Sequence, residues 1–496
     1  MLFSTLLNNL EHTVLSGDPG KCEVSTLCRD SRDRSEDGIF VCIKGAKSDG
    51  HDFAKMAYDN GCRAFAVTRP ISLPADACIV MTNDTRIALA EIAAAFYGYP
   101  ARELKVIGIT GTKGKTTTAL TAFEVMNACG LPTAYIGSNG IKYGGNTYPT
   151  LNTTPESAEL HKQMRVMVSK GIKYLVMEVS SQAIYMNRIH GIKFETVAFT
   201  NLSVDHIGGA EHPTFEHYRD CKKRLFTDFG AENIIYNSDD PYAEYMVRDS
   251  ECKNKTSCSP SGNESSDIYA KSIKNVRLKT SLSVLFEMVS QCKSTDISLP
   301  MPGAFSVANA LLATAICKTA GIDEKAIAEK LSSVRAEGRF ETISAVSGAL
   351  FIIDYAHNGV SLTAALKTIR EFSPSRLICL FGSVGGRTEG RRRELGEAAA
   401  SLADFCILTS DNPDFEDPLK IINDIAVCFN KGESCQYVVL PDRREAIRHA
   451  VSIAKSGDVI LLAGKGHENY QLICGKKTVF SERAIIKEAL AELSTV

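Results

Sequence analysis

The chain has 496 residues, 44% hydrophobic and 23% charged, an ordinary balance for a globular protein with enough chain to bury several cores. Its formal net charge of −2 supplies no basic field to hold nucleic acid, and no apolar run approaches the length of a membrane span. At roughly 150 residues per domain, this length suggests about three domains.

The 16 cysteines include no C-x-x-C pair and no Cys/His grouping with zinc spacing, so they read as reduced thiols. The N-terminal stretch MLFSTLLNNLEHTVLSG reads as a short amphipathic helix. It lacks the basic and apolar regions of a signal peptide, which leads to the expectation of a cytoplasmic protein.

Residues 1–100 alternate short strands and helices. FVCIKG (40–45), RAFAVT (63–68) and CIVMTN (78–83) are apolar enough for strands, and 84–98 reads as a helix with Asp84 as its N-cap and Gly98 near its end. Residues 101–333 open with a strand at 104–110, a glycine-rich turn and a helix. Three further apolar runs follow at 173–180, 196–203 and 233–240, each ending in polar residues. That pattern predicts a parallel sheet whose strand ends carry a site. The stretch 268–300 alternates like a small antiparallel patch. Residues 334–496 repeat the strand-then-polar-loop unit four times, at 349–358, 376–386, 404–414 and 458–468.

GITGTKGKTTT (108–118) lies between a strand and a helix, the context a phosphate loop requires. Gly111 and Gly114 let the backbone turn its N–H groups toward an anion, and the following helix presents its N-terminus to the same place. Lys115 would reach the β- and γ-phosphates, and the Thr116 hydroxyl would sit on Mg²⁺. The first glycine of the common pattern would fall on Ile109; here the glycines are Gly108 and Gly111. A GTPase would also show N-K-x-D after a strand, and none is present. Glu178 closes the strand KYLVMEVS, where a carboxylate could hold Mg²⁺. Asp205 and His206 follow the next strand of the same sheet.

These motifs together resemble the Mur ligases. The phosphate loop, M-E-V-S-S, T-N-L-S-x-D-H, Y-x-x-x-K, G-R-F-E, D-Y-A-H, D-N-P and G-K-G-H-E occur in that family's order over essentially the whole chain. The resemblance implies an α/β fold of three domains: a UDP-binding domain (1–100), a central P-loop ATPase-like domain with a parallel sheet (101–333), and a Rossmann-like domain that binds an amino acid (334–496). It implies that Gly111, Thr112, Lys113, Gly114, Lys115, Thr116, Thr117 and Asn309 bind ATP, with Arg339, Asp354 and Tyr355 of the third domain. Thr116, Glu178, His206 and Lys222 would hold Mg²⁺, as two ions, with Lys222 carbamylated to N6-carboxylysine. Lys115, Glu178, His206 and Lys222 are the expected catalytic set.

Substrate marks point to the branch that adds the third amino acid to UDP-MurNAc-L-Ala-D-Glu. Ser31 and Arg32 in D-S-R, Thr153 and Thr154 in N-T-T-P, Ser180 and Arg188 are the implied contacts to that precursor. Arg387, Asp411, Asn412, Asp414, Gly464 and Glu468 are the implied contacts to the amino acid. The diaminopimelate-adding branch carries Asp-Asn-Pro-Arg, whose Arg faces the extra carboxylate; this chain has Asp414 there. An Asp would repel a carboxylate and attract an ammonium, so L-lysine is the expected amino acid, with L-ornithine or meso-diaminopimelate as alternatives. The expected chemistry is phosphorylation of the D-glutamate γ-carboxylate by ATP, then attack on the acyl phosphate by the incoming amine. No nucleophilic side chain is needed, and the third domain is expected to close over ATP. A monomer without nucleic-acid or membrane partners is expected. A folate ligase of the same family, and a nucleotide-binding relative without catalysis, are the rival readings.

Overall fold

The structure, a computed structural model, describes residues 1–45, 48–204, 207–208, 211–278, 281–345, 347–431 and 435–494. It divides into two compact units: Met1–Tyr269 with Ala308–Ile327, and Ala270–Val307 with Ala328–Val496.

The first unit holds two sheets. In the smaller, the strands run in the order Thr13–Ser16, Cys78–Met81, Cys62–Val67, Gly38–Val41, Thr26–Cys28; the first pair is antiparallel and the others parallel. The strand expected at 40–45 lies two residues earlier and stops at Val41, because Gly45 N–H donates to the Ser48 carbonyl and turns the chain. The helix expected from residue 1 is only Phe3–Leu6. Phe3 N–H donates to Cys22 O and residues 13–16 pair as a strand, so backbone pairing overrides the amphipathic pattern. Asp84 caps the helix Thr85–Phe96 as expected, accepting from Arg86 and Ile87 N–H, and Gly98 follows its end at φ 67.

The larger sheet of this unit centres on Lys105–Thr110. Tyr174–Glu178 and then Thr133–Gly137 lie on one side, Thr196–Phe199, Asn233–Asn237 and Asn254–Ser259 on the other, all parallel. Gly140–Tyr143 and Asn146–Tyr148 extend one edge antiparallel. The core strands read Val-Ile-Gly-Ile and Leu-Val-Met because helices cover both faces, leaving no polar side to alternate with. Parallel register brings the carboxyl ends of 105–110, 174–178 and 196–199 to one edge.

The second unit is built on a six-stranded sheet in the order Glu341–Ser344, Leu350–Asp354, Val459–Ala463, Leu377–Phe381, Phe405–Leu408, Gln436–Val439. Only the first pair is antiparallel. The four expected strands form its centre. The edge strands 341–344 and 436–439, and the hairpin Tyr470–Ile473 with Lys476–Val479, are too short and polar to have stood out. Of the antiparallel patch expected over 268–300, Leu282–Ser290 and Lys293–Leu299 form such a pair, whereas the strand Ile268–Arg277 begins parallel to Asn254–Ser259. All sixteen cysteines are free thiols, and no helix among the described residues is long and apolar enough to cross a membrane.

His161, on the helix Ser157–Ser169, is 1% exposed, and among the described residues neither ring nitrogen has a hydrogen-bond partner. Burial, opposed by Glu91, pushes its pKa down to about 4 from an ordinary 6.5. The unfolded chain therefore takes up the proton first, so stability present above pH 6.5 is lost as pH falls toward 4. The expected loss is about 3 kcal/mol at full protonation. Urea unfolding at pH 7 and pH 4.5 should show His161→Gln losing less stability between the two than the parent chain does.

Candidate active site

The strand Lys105–Thr110 delivers the chain to Gly111, at φ 148, and Gly114, at φ 85, before the helix Lys115–Ala128. Both angles favour glycine, and both positions are crowded. A Cβ on Gly111 would meet Thr200 Oγ1 at 1.9 Å, and one on Gly114 would meet Asn309 Oδ1 at 2.5 Å. No side chain caps the helix, which leaves its first N–H groups to other acceptors. The loop is held from outside. Asn201 Oδ1 accepts from Lys113 N–H at 2.9 Å, its Nδ2 donates to Lys113 O at 2.9 Å, and Thr200 Oγ1 donates to the same carbonyl at 2.6 Å. Thr112 Oγ1 lies 3.1 Å from the Tyr218 hydroxyl, and Thr118 Oγ1 donates to Asn309 Oδ1 at 3.1 Å. Thr117 is half-buried on the same first helical turn.

Glu178 ends its strand with no exposed surface. Its carboxylate accepts from the Thr116 hydroxyl at 2.9 Å, the Tyr135 hydroxyl at 2.6 Å and Ser138 N–H at 2.9 Å. Thr116 and Glu178 thus bring two oxygen donors together, the chemistry a hard divalent cation requires. Lys115 Nζ donates to the carbonyls of Gly111, at 2.8 Å, and Thr112, at 3.0 Å. Lys222, 1% exposed on the helix Phe215–Thr227, donates to the same Gly111 carbonyl at 2.8 Å. The structure therefore brings Lys115, Thr116, Glu178 and Lys222 together. His206 lies outside the described residues.

The N-T-T-P loop joins this cluster. Thr154, fully buried, donates from Oγ1 to Glu178 O at 2.9 Å, and Thr153 Oγ1 lies 3.1 Å from Ser138 Oγ. Ser180 caps the short helix Ser181–Tyr185 and donates its own N–H to Thr154 Oγ1 at 3.1 Å. Arg188 donates to Thr154 O at 3.1 Å and pairs with Glu156 at 2.8 Å. Ser31 and Arg32 are engaged locally: Ser31 is buried with Oγ 3.6 Å from Met56 Sδ, while Arg32 is exposed and forks onto Asp30. Tyr135, in the strand Thr133–Gly137, and Ser138, just beyond it, escape the sequence reading because that strand is a five-residue apolar run. Its signal was AYIG followed by polar Ser-Asn-Gly.

In the second unit the expected residues surround a lysine the motif contained without assigning. Lys465, 0% exposed, donates to Asn412 Oδ1 at 2.9 Å and Glu468 Oε2 at 3.2 Å, and lies 3.5 Å from Asp411 Oδ1. Burial above all pushes the Glu468 carboxyl up. Gly464, at φ 115, leaves room for Asp411, whose Oδ2 would lie 2.6 Å from any Cβ there. Asp354 accepts from Phe340 and Ala356 N–H, and Arg339 lies over the Tyr355 ring at 4.8 Å. Arg387 is exposed. Asp414 is half-buried and engaged locally. It sits at φ 52, and its carboxylate accepts from Gly475 N–H at 2.7 Å, so it caps the turn of the 470–479 hairpin.

Three family models match the chain: "Mur ligase family, catalytic domain" over residues 23–97, "Mur ligase middle domain" over 109–317, and "Mur ligase, glutamate ligase domain" over 338–466. A UDP-N-acetylmuramoyl-L-alanyl-D-glutamate--2,6-diaminopimelate ligase of Caldanaerobacter subterraneus is 40% identical, over 98% of each chain. The enzyme of that name from Geobacillus thermodenitrificans is 37% identical, over 95% of this chain and 96% of its own. A solved structure of a ligase with that name superposes with a TM-score of 0.71 at 27% identity, covering 100% of this chain and 99% of the other.

Gly111→Ala is expected to weaken ADP binding in the presence of Mg²⁺ about tenfold, from about 1–3 kcal/mol of backbone strain. Isothermal titration should show this, whereas Gly144→Ala, at a turn with nothing within 4 Å, should bind like the parent chain.

Proposed function

The chain belongs to the Mur ligase family, and on that premise we propose that this ATP-dependent ligase joins a diamino acid to the D-glutamate γ-carboxylate of UDP-MurNAc-L-Ala-D-Glu. The observation that carries the reading is the cluster of Lys115, Thr116, Glu178 and Lys222 at one sheet edge, tied to Thr153 and Thr154 through Ser138 and Glu178. The domain limits 1–100, 101–333 and 334–496 are part of the same proposal.

In this mechanism a γ-carboxylate oxygen of the precursor attacks the γ-phosphorus of ATP and ADP leaves. The amine of the second substrate then attacks the acyl carbon, and phosphate departs with the carboxylate oxygen. The loop N–H groups and Lys115 hold the phosphates, so catalysis is mostly positioning and charge stabilisation. Thr116 and Glu178 would hold Mg²⁺, which when bound neutralises phosphate charge. Thr153, Thr154, Ser180 and Arg188 orient the precursor. Lys222 and Lys115 share one carbonyl acceptor, which sets two ammonium groups against each other. Carbamylation of Lys222 would remove that repulsion and supply further oxygen ligands.

For the amino acid we favour meso-diaminopimelate, because relatives of up to 40% identity over nearly the full chain carry that activity in their names. L-lysine is the second reading, favoured by Asp414 in place of the Arg of Asp-Asn-Pro-Arg. That argument weakens where the Asp414 carboxylate already serves Gly475 N–H.

Phosphate release from ATP should require UDP-MurNAc-L-Ala-D-Glu together with one amino acid, tested as meso-diaminopimelate, L-lysine and L-ornithine in turn. Release with diaminopimelate supports the main reading, and release with L-lysine alone replaces it with the second. No release with any of the three contradicts the ligase reading. For Lys222, ¹³C-labelled bicarbonate should give one carbamate NMR signal that disappears in Lys222→Arg, and stripping CO₂ should lower the rate. A rate indifferent to CO₂ in a chain without that signal contradicts carbamylation.

A further inference from the structure

The helix Phe215–Thr227 presents two neighbouring stripes. Tyr218 and Lys222, four residues apart, face the phosphate loop. One position earlier, His217 and Cys221 form a second i, i+4 pair, which places both side chains on one face. His212, 2% exposed, packs against that face from the preceding loop, and its Nδ1 lies 2.8 Å from His217 Nδ1. Cys221 Sγ lies 3.8 Å from His217 Nδ1. One ligand atom from each of the three residues falls within 4.8 Å of the other two.

The geometry points to a binding site for a Zn²⁺-class cation at His212, His217 and Cys221, distinct from the Mg²⁺ site at Thr116 and Glu178. A tetrahedral zinc with N bonds of about 2.0 Å and an S bond of about 2.3 Å holds its ligand atoms about 3.3–3.6 Å apart. The two short separations bracket that value, and drawing in the third requires a shift of roughly 1 Å. His212 is already oriented for the task. Its Nε2 lies 2.9 Å from Ser181 Oγ, so with Nε2–H donating to that hydroxyl the Nδ1 lone pair faces the other two ligands. Tyr185 stacks edge-on against His217 at 4.9 Å and Tyr218 against His212 at 5.3 Å, restricting both rings. Two imidazoles and a thiolate suit a borderline ion, whereas Mg²⁺ demands oxygen. Three protein ligands leave a fourth position for water. On binding, the Cys221 thiol gives its proton to solvent and becomes the thiolate ligand. The ion would clamp the 211–212 loop to the helix that carries Lys222. In sequence this grouping is hidden, because His212 stands before the helix cap at Thr214 and matches no zinc spacing.

The test uses the full chain, freed of metal and titrated with Zn²⁺ and, as a spectroscopic probe, Co²⁺. The expected result is one ion per chain, a cobalt–thiolate charge-transfer band in the near ultraviolet, and a higher melting midpoint with Zn²⁺. The band should vanish in Cys221→Ser, and Ser181→Ala should weaken binding about 10–100-fold through loss of ring orientation. Should Cys221→Ser melt well below the parent without metal, His217→Gln, on a half-exposed ring, carries the test, with at least a tenfold loss of affinity. No ion bound at micromolar Zn²⁺, undiminished binding in both ligand variants, or displacement of Zn²⁺ by millimolar Mg²⁺ would each overturn the assignment.

Discussion

A carboxylate with no exposed surface needs donors on every side, and Glu178 draws them from three different segments. Thr116 comes from the phosphate-loop helix, Tyr135 from a neighbouring strand, and Ser138 N–H from the loop beyond that strand. A hydrogen bond to a charged group typically contributes about 1.5–3 kcal/mol, so three of them fix this constellation more firmly than loop packing alone would. Thr154 binds the backbone carbonyl of the same residue. The nucleotide loop and the N-T-T-P loop are therefore referred to a single strand end. The positions of Lys115 and Lys222 follow, since both reach the Gly111 carbonyl at the mouth of that loop.

Residues whose role is set by backbone geometry were legible from sequence. Gly111, Gly114 and the Asp84 cap announce themselves by residue type next to a strand or helix, and the four central strands of the second unit by their apolar runs. Partners brought in by tertiary register were not. Tyr135 and Ser138 reach Glu178 only because Thr133–Gly137 pairs beside Tyr174–Glu178. The N-terminal helix was overread for the same reason: pairing of residues 13–16 in a sheet outweighed an amphipathic pattern.

At Asp414 residue type alone does not fix the carboxylate's partners. Its charge suits an ammonium, and on a left-handed backbone its Oδ1 accepts from Gly475 N–H. Lys465, inside G-K-G-H-E, is the buried cation around which Asp411, Asn412 and Glu468 assemble. An ammonium removed from water requires such a surround, so the loops 411–414 and 464–468 are positioned by their own electrostatics before any substrate arrives.

The acyl-phosphate route makes the γ-carboxylate of the precursor the group that receives the phosphoryl, and oxygen labelling tests this most directly. UDP-MurNAc-L-Ala-D-Glu carrying ¹⁸O in that carboxylate would be turned over with ATP and the amino acid, and the products read by mass spectrometry. The predicted result is one ¹⁸O in the released phosphate for each amide bond formed, with ADP unlabelled. Phosphate without label, or label in AMP, would contradict the mechanism.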